Sequence, residues 1–156
     1  MAGRDKGKAF EERVKADWEL TVPDSLICRI PDQMTGYTGS TNVSDFFAFK
    51  SPRLFFIECK VTQTNTVPFS RLTQYEKMLP YCNTTNVFPG FVVWWEKSDT
   101  VAWVPVNTVT ALKEAGEKSI NIKNMQDDRY YIVPIPSEKK RVFMRCDFKV
   151  LLEVHK

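Results

Sequence analysis

Residues 44–61 read SDFFAFKSPRLFFIECKV, and this stretch constrains the fold most strongly because it places charges inside two apolar runs. Asp45 lies in the first run, and Glu58 and Lys60 lie in the second. A charged side chain among apolar neighbours is unfavourable unless it is solvated, paired with an opposite charge or bound to a metal ion. The stretch therefore predicts either a sheet with one wet face or a site with a chemical role.

The two runs flank the segment KSPR, which predicts an antiparallel β-hairpin. Alternate residues of a strand share a face, so Glu58 and Lys60 point to the same side of the sheet. We consider the register in which Phe49 pairs with Leu54. Asp45 then lies opposite Glu58, with the two Cβ atoms roughly 4.5–5.5 Å apart. A slip of one residue would separate the two carboxylates.

Two carboxylates this close repel each other, and one of them protonates unless a cation lies between them. Mg²⁺ is the natural cation, because it binds through one or two carboxylates, keeps several waters and accepts phosphate oxygens. Lys60 beside such a site would help to activate water or neutralise charge developing on a phosphate. Three charges on a solvated sheet face remain the alternative. The aromatic residues around Asp45 and Glu58 favour the site.

The segment 5–20 has the periodicity of an amphipathic helix, in which Phe10, Val14 and Trp18 form one apolar stripe. At about 100° per residue, Glu11 lies roughly 60° from the middle of this stripe, at the rim of the buried face. Glu11 is therefore a candidate to reach the carboxylate pair. An ordinary charge on the flank of the helix explains its position equally well.

The composition excludes several classes of catalysis. His155 is the only histidine, so a Ser-His-Asp triad, a Cys-His pair and a histidine-ligated zinc ion are not expected. The four cysteines form no CxxC pair, which argues against a zinc site and a disulfide framework. Catalysis would depend on carboxylates, lysine, hydroxyl groups and a hard metal ion. The formal net charge of +3 permits a nucleic-acid partner without requiring one.

The rest of the chain alternates helical and strand patterns, with a polar loop predicted at 33–42. The predicted elements are a strand at 27–30, a helix at 70–79 capped by Ser70, strands at 90–95 and 101–106, a helix capped by Asn107, and strands at 130–135 and 148–154. This order predicts an α/β fold with a central mixed β-sheet flanked by helices. The length of 156 residues predicts one domain over 1–156, with 1–6 flexible.

The combination of a helical glutamate, an aspartate and Glu-x-Lys resembles the PD-(D/E)xK nuclease superfamily. The motif reads Asp45…Glu58-Cys59-Lys60, with Ser44 where the family's less constant proline would lie. Several stretches further resemble the Holliday junction resolvases, the bacterial RecU family in particular: GKAFE (7–11), SDFFAF (44–49), FIECKVT (56–62) and TQYEKM (73–78). The resemblance spans nearly the whole chain and implies a restriction-endonuclease-like domain.

This resemblance implies a Mg²⁺-dependent endonuclease, with Mn²⁺ as a substitute, that resolves four-way junctions as a homodimer. Asp45 and Glu58 would bind the metal, Lys60 would stabilise the transition state or activate water, and Glu11 would complete the catalytic set. Gln74 would match the metal-site glutamine of the family, although the predicted helix turns it away from the apolar face. The sequence departs from RecU at Val43, where that family has threonine, and in a shorter loop at 33–42.

Two basic clusters are candidates for contacts with DNA phosphates. The first precedes the predicted helix and the second lies between the late strands: Arg4, Lys6 and Lys8, and Lys139, Lys140 and Arg141. A solvated terminus and a polar hairpin tip explain these charges about as well. No phosphate-binding loop or nucleotide fingerprint is present, so no nucleotide cofactor is expected.

Two other functions remain open. One is a PD-(D/E)xK nuclease with a different DNA target, in restriction, repair or phage genome processing. The other is a non-catalytic DNA-binding protein that assists recombination, although the charged cluster argues against it. No segment has the length of a membrane span and the polar N-terminus has no secretory core, so we expect a cytoplasmic protein of bacterial or phage origin.

Overall fold

The structure, a computed structural model, describes residues 3–31 and 42–154. Its helices are α1 (Gly3–Thr21), α2 (Tyr75–Met78), α3 (Val106–Glu114) and α4 (Val150–Val154). Its strands are β1 (Leu26–Arg29), β2 (Phe46–Lys50), β3 (Arg53–Thr62), β4 (Thr66–Pro68), β5 (Val87–Trp95), β6 (Thr100–Pro105), β7 (Ser119–Asn121), β8 (Val133–Pro134), β9 (Ser137–Lys140) and β10 (Phe143–Cys146). Among the described residues, no helix is long and apolar enough to span a membrane.

The main sheet has the strand order β1-β2-β3-β5-β6-β8. Its neighbouring strands run antiparallel except for β3 and β5, which are parallel. A parallel pair needs a crossover connection, and the segment that contains β4 and α2 makes that crossover. The predicted mixed sheet flanked by helices is therefore confirmed. Two small antiparallel pairs, β4 with β7 and β9 with β10, complete the strand pairing.

The hairpin of β2 and β3 has the predicted register, in which Phe49 pairs with Leu54. The pairing stops at Phe46 opposite Ile57, while β3 continues beside β5 as far as Thr62. Asp45 thus lies just before the first paired residue of β2. Beyond the Phe46–Ile57 pair, β2 and β3 are no longer paired, and the two strands separate at this point.

Hydrophobic layers form on both faces of the sheet. The predicted apolar stripe of α1 is confirmed, because Phe10, Val14 and Trp18 are buried against one face. Their buried neighbours there include Phe46, Phe55, Ile57, Trp94 and Phe148. The layer on the other face, with α2 and α3, includes Phe91, Val93, Trp95, Val104, Val109 and Leu112. Strand β5 is buried on both faces over Pro89–Trp95, as its nearly continuous apolar sequence indicates.

Three local predictions were wrong in detail. Residues 70–79 do not form one helix: 3₁₀ turns at Phe69–Arg71 and Leu79–Asn83 flank the short α2. Ser70 lies inside the first turn and caps nothing. Because Leu72 has φ −92° and ψ 60°, the helical backbone is interrupted there. Asn107 lies inside α3, whose N-cap residue is Pro105.

The C-terminal predictions also differ from the structure. The segment 148–154 contains α4 instead of a strand, because Phe148 N–H donates to the Thr21 hydroxyl (3.1 Å) and Leu151 N–H donates to the Phe148 carbonyl (3.1 Å). Within 130–135 the strand β8 has only two residues, one of them a proline, which cannot donate to a ladder, and Ile135 N–H adds one hydrogen bond to the Val101 carbonyl of β6 (2.9 Å). The predicted loop at 33–42 lies outside the described residues except for Asn42.

Gly90 makes a close approach that supports a stability prediction. A Cβ atom at this position would lie 2.7 Å from ring atoms of Trp103 and 2.9 Å from the Val104 carbonyl oxygen. We expect Gly90→Ala to lower the free energy of unfolding by roughly 1–3 kcal/mol, measured by urea titration. Gly7→Ala in α1 is the control, because an added Cβ meets nothing outside its own helix within 4 Å. The control should be stabilised by up to about 1 kcal/mol. Equal stability of the two variants would contradict the packing argument.

Candidate active site

Asp45 is held where β2 and β3 separate. Its main-chain carbonyl accepts a hydrogen bond from Ile30 N–H (2.9 Å), which continues the pairing of β1 with β2. Its Oδ2 accepts the main-chain N–H of Cys59 (2.8 Å), the residue between Glu58 and Lys60. The backbone of the Glu-x-Lys segment therefore holds the Asp45 carboxylate beside that segment.

Glu58 and Lys60 point to the same face of β3, and Glu58 is buried with an exposed fraction of 6%. The Lys60 Nζ lies 3.6 Å from the Glu58 Oε2. The Glu58 Oε1 is buried and has no hydrogen-bond partner among the described residues. Burial and the nearby charge of Asp45 raise the pKa of Glu58 to about 8, and Lys60 opposes this shift only in part. Glu58 is thus a buried carboxyl group whose negative charge, when it ionises, is not balanced by the positive charge around it.

Glu11 reaches this site from α1. Burial raises its pKa, the charge of Asp45 raises it further, and Arg29 opposes both effects. The Arg29 Nη2 donates to the Glu11 Oε2 at 2.7 Å, and its guanidinium group lies 5.1 Å from the centre of the Phe46 ring. The structure therefore brings Glu11, Asp45, Glu58 and Lys60 together, while their catalytic roles stay a prediction.

Two cations at this site were missed by the sequence analysis. Arg29 is the last residue of β1, and its charge after an apolar strand was the same kind of signal that identified Asp45 and Glu58. Arg71 is exposed, and its Nη2 donates to the carbonyl of Val61 at 2.9 Å, one residue beyond Lys60. The crossover that follows β3 brings Arg71 to this place, so its distance from Lys60 along the sequence did not predict the contact.

Gln74 occupies the N-cap position of α2. It lies outside the regular helix, so the helical-wheel argument that turned it away from the buried face does not apply. Its side-chain oxygen is buried without a hydrogen-bond partner among the described residues. Among the residues that the structure describes, no hydrogen bond or ion pair joins Gln74 to Asp45 or Glu58. Its role as a metal ligand remains a prediction.

The two predicted basic clusters meet at one aromatic ring. The amino groups of Lys6 and Lys139 lie 5.5 Å and 5.6 Å from the centre of the Trp94 ring. Each is also paired with an acid: Lys6 with Glu96, and Lys139 with Asp99 at 2.8 Å. Packing of α1 beside the β9–β10 hairpin therefore joins clusters that are about 130 residues apart in the sequence.

The remaining basic candidates lie around this meeting point. Lys8 is exposed on α1, and Lys140 pairs with Glu138 at 3.0 Å. Arg141 is exposed in the β9–β10 turn with φ 56°. Arg4 lies in the first turn of α1, and its side chain is outside the described part of the structure. Acidic partners balance part of the positive charge of this surface.

The carboxylate site fits a hard divalent cation. Within residues 3–31 and 42–154, no group of three or more His, Cys, Asp or Glu side chains is arranged to hold a metal ion. The pair of Asp45 and Glu58 still matches Mg²⁺, which binds through one or two carboxylates and completes its shell with water and phosphate oxygens. The unpartnered Glu58 Oε1 and the raised pKa of Glu58 are the features that a cation between these carboxylates would relieve.

Comparison with known proteins supports the fold class. The structure is similar to that of Hjc from Archaeoglobus fulgidus, a Holliday junction resolvase from an archaeal hyperthermophile. The TM-score is 0.50 at 14% sequence identity, over 65% of this chain and 78% of that chain. The sequence matches no family model and no curated protein. The fold is therefore restriction-endonuclease-like and resembles that of an archaeal resolvase, while nothing in the comparison singles out the RecU family.

Proposed function

We propose that this protein is a Mg²⁺-dependent endonuclease that resolves four-way DNA junctions by hydrolysing phosphodiester bonds. The observation that carries this proposal is the Asp45–Glu58 pair, with its unpartnered buried oxygen, beside Lys60. Hydrolysis of a phosphodiester needs an activated water and positive charge close to the phosphate, and this group of residues can supply both requirements. The likeness to Hjc supports the choice of four-way junctions as substrate.

Each residue has a defined role in this proposal. Asp45 and Glu58 would hold the ion, and Gln74 would contribute its buried amide oxygen through a water. Bound Mg²⁺ would lower the pKa of water and neutralise charge on the phosphate. Lys60 donates from its amino group to the attacking water or to a phosphate oxygen. Glu11, held by Arg29, accepts or returns a proton at the edge of the site.

The proposed mode of DNA binding uses the basic surface around Trp94. The N-terminal cluster and the β9–β10 hairpin would contact phosphates: Arg4, Lys6, Lys8, Lys139, Lys140 and Arg141. Phosphate contacts of this kind provide affinity without sequence preference and weaken as salt rises. A four-way junction offers two symmetric strands for incision, so a homodimer with two-fold symmetry would place one site on each strand.

The test measures cleavage of a synthetic four-way junction and a linear duplex of matched sequence, with Mg²⁺ or with EDTA. We expect paired nicks in the junction alone, and a rate roughly 10²–10³-fold lower in Lys60→Ala, because the variant lacks the cation at the phosphate. Lys149→Ala is the matched control, since Lys149 is an exposed lysine paired with Asp147 in the C-terminal segment. Its rate should equal that of the wild type.

Other outcomes would redirect the proposal. Equal cleavage of the junction and the duplex would keep the nuclease and reject selectivity for junctions. Binding of DNA without cleavage in Mg²⁺ and in Mn²⁺ would favour the non-catalytic accessory function. A Lys60→Ala protein as active as the wild type would reject this site as the place of the reaction.

A further inference from the structure

The face of the main sheet that carries Glu58 and Lys60 is covered only in part. Buried residues of α2 and α3 pack against β5 and β6 on this side. Over β1 and β2, no described helix covers the same face, because α1 packs on the opposite one. Apolar side chains on this face of β1 and β2 are consequently exposed. A contiguous patch of exposed apolar side chains is uncommon on a protein surface and indicates a binding surface.

Strand pairing places the exposed side chains in adjacent rows. Leu26 lies opposite Phe49, and Phe47 lies opposite Phe56. The Tyr81 ring packs on Phe56, with the ring centres 5.0 Å apart. Leu26, Phe49 and Tyr81 have exposed fractions of 45%, 40% and 41%. We call these five residues the aromatic strip.

The aromatic strip is continuous with the candidate active site. Phe47 is two residues from Asp45 on one strand, and Phe56 is two residues from Glu58 on the next. At about 3.3 Å of rise per residue, the strip begins roughly 7 Å from the carboxylates.

Positive charge lies at the end of the strip that adjoins this site. Lys60 is on the same face of β3, and Arg71 is held at the carbonyl of Val61. Exposed aromatic rings next to cations are the arrangement with which proteins bind single-stranded nucleic acids, because bases stack on the rings while the cations contact phosphates. The charge and the rings thus complement two different parts of one ligand.

We propose that the aromatic strip binds unpaired nucleotides of the DNA substrate next to the phosphate that is cleaved. The choice of DNA rests on the proposed function. A second copy of this chain fits the strip less well, because a stable interface takes about 20–30 residues from each partner and the strip has five. Bases unpaired at the centre of a junction, or in a flap, would lie on Phe49 and Tyr81.

The test measures fluorescence anisotropy in EDTA, with a labelled 15-nucleotide oligo(dT) and a labelled 15-base-pair duplex as probes. We expect Phe49→Ser and Tyr81→Ala each to weaken binding of oligo(dT) roughly 5- to 20-fold, because each removes one stacking ring. Binding of the duplex should change less than twofold. Leu20→Ser is the control, since Leu20 is exposed on α1 away from the strip. Two variants on separate segments guard against a local folding defect.

Three results would overturn the proposal. The first is unchanged oligo(dT) binding in both variants, and the second is an equal loss for both probes. The third is a wild-type dimer in light scattering that becomes monomeric in Phe49→Ser, with unchanged affinity for oligo(dT). Because the assay contains no metal ion, its result is independent of catalysis. If the protein cleaves junctions but both variants bind oligo(dT) as the wild type does, the nuclease proposal stands and the strip proposal is rejected. If both variants lose oligo(dT) binding but the wild type cleaves no junction, the strip proposal stands and the nuclease proposal is rejected.

Discussion

Asp45→Asn is expected to reduce Mg²⁺-dependent cleavage roughly 10³-fold, a barrier increase of about 4 kcal/mol. Asparagine keeps the shape of the side chain and can still accept the hydrogen bond from Cys59 N–H, so the fold should persist. It loses the negative charge with which we propose that Asp45 holds the metal ion. The loss should therefore appear in the rate constant, measured by single-turnover cleavage of the junction.

The same substitution should leave DNA binding in EDTA unchanged or stronger, because one negative charge near the phosphate is removed. Asp147→Asn is the matched control, since the half-buried Asp147 carboxylate also accepts a main-chain N–H, from Lys149 at 3.0 Å. Its cleavage rate should equal that of the wild type. A full rate in Asp45→Asn would contradict the assignment of Asp45 as a metal ligand.

Glu58→Gln is expected to stabilise the metal-free protein at pH 8–9 while abolishing its stabilisation by Mg²⁺. Burial and the charge of Asp45 raise the pKa of Glu58 to about 8, from an ordinary value of 4.5. Ionised Glu58 therefore destabilises the folded protein, and glutamine removes this charge. We expect the free energy of unfolding to increase by roughly 2–4 kcal/mol, which corresponds to about 5–15 °C in the melting temperature.

The pH dependence of this difference follows from the direction of the shift. The folded protein holds a proton on Glu58 that the unfolded chain has released above about pH 4.5. This proton contributes stability that is fully present below pH 4.5 and is lost as the pH rises through about 8. The wild type should therefore become less stable relative to Glu58→Gln between pH 5 and pH 9, measured by thermal unfolding in EDTA.

Addition of Mg²⁺ should restore the stability of the wild type at high pH, because a ligand that binds only the folded state stabilises that state. Glu58→Gln should show no such stabilisation by Mg²⁺. Glu12→Gln, an exposed glutamate on α1, is the control and should behave as the wild type in both conditions. Equal Mg²⁺ stabilisation of Glu58→Gln and the wild type would show that the ion binds elsewhere.

The metal-site hypothesis required only short-range information. The register of the hairpin depends on a two-residue connection and on side-chain alternation, and both can be read from adjacent residues. That register was confirmed, and it brings Asp45 to the segment of Glu58 and Lys60. The prediction for Glu11 also needed only local information, because the apolar stripe of α1 determines which side of the helix faces the sheet.

Local patterns failed where a distant contact decided the structure. The segment 148–154 has the composition of a strand, yet Thr21, on α1, accepts its first N–H and α4 forms instead. The helical-wheel argument that turned Gln74 away from the apolar face failed because the chain leaves the helical conformation at Leu72, two residues earlier. Short apolar segments are compatible with both a strand and a helix, so their neighbours in space determine the outcome.

By itself, the sequence determined the fold class, the hairpin register and the carboxylates and lysine that meet there, because period-two alternation and a short turn leave little freedom. Only the tertiary structure decided that Arg29 pairs with Glu11, that Lys6 and Lys139 meet at Trp94, and that β1 and β2 keep an open aromatic face. These features depend on how elements far apart in the chain pack together. Many sequence spacings are compatible with that packing, so no local pattern encodes it.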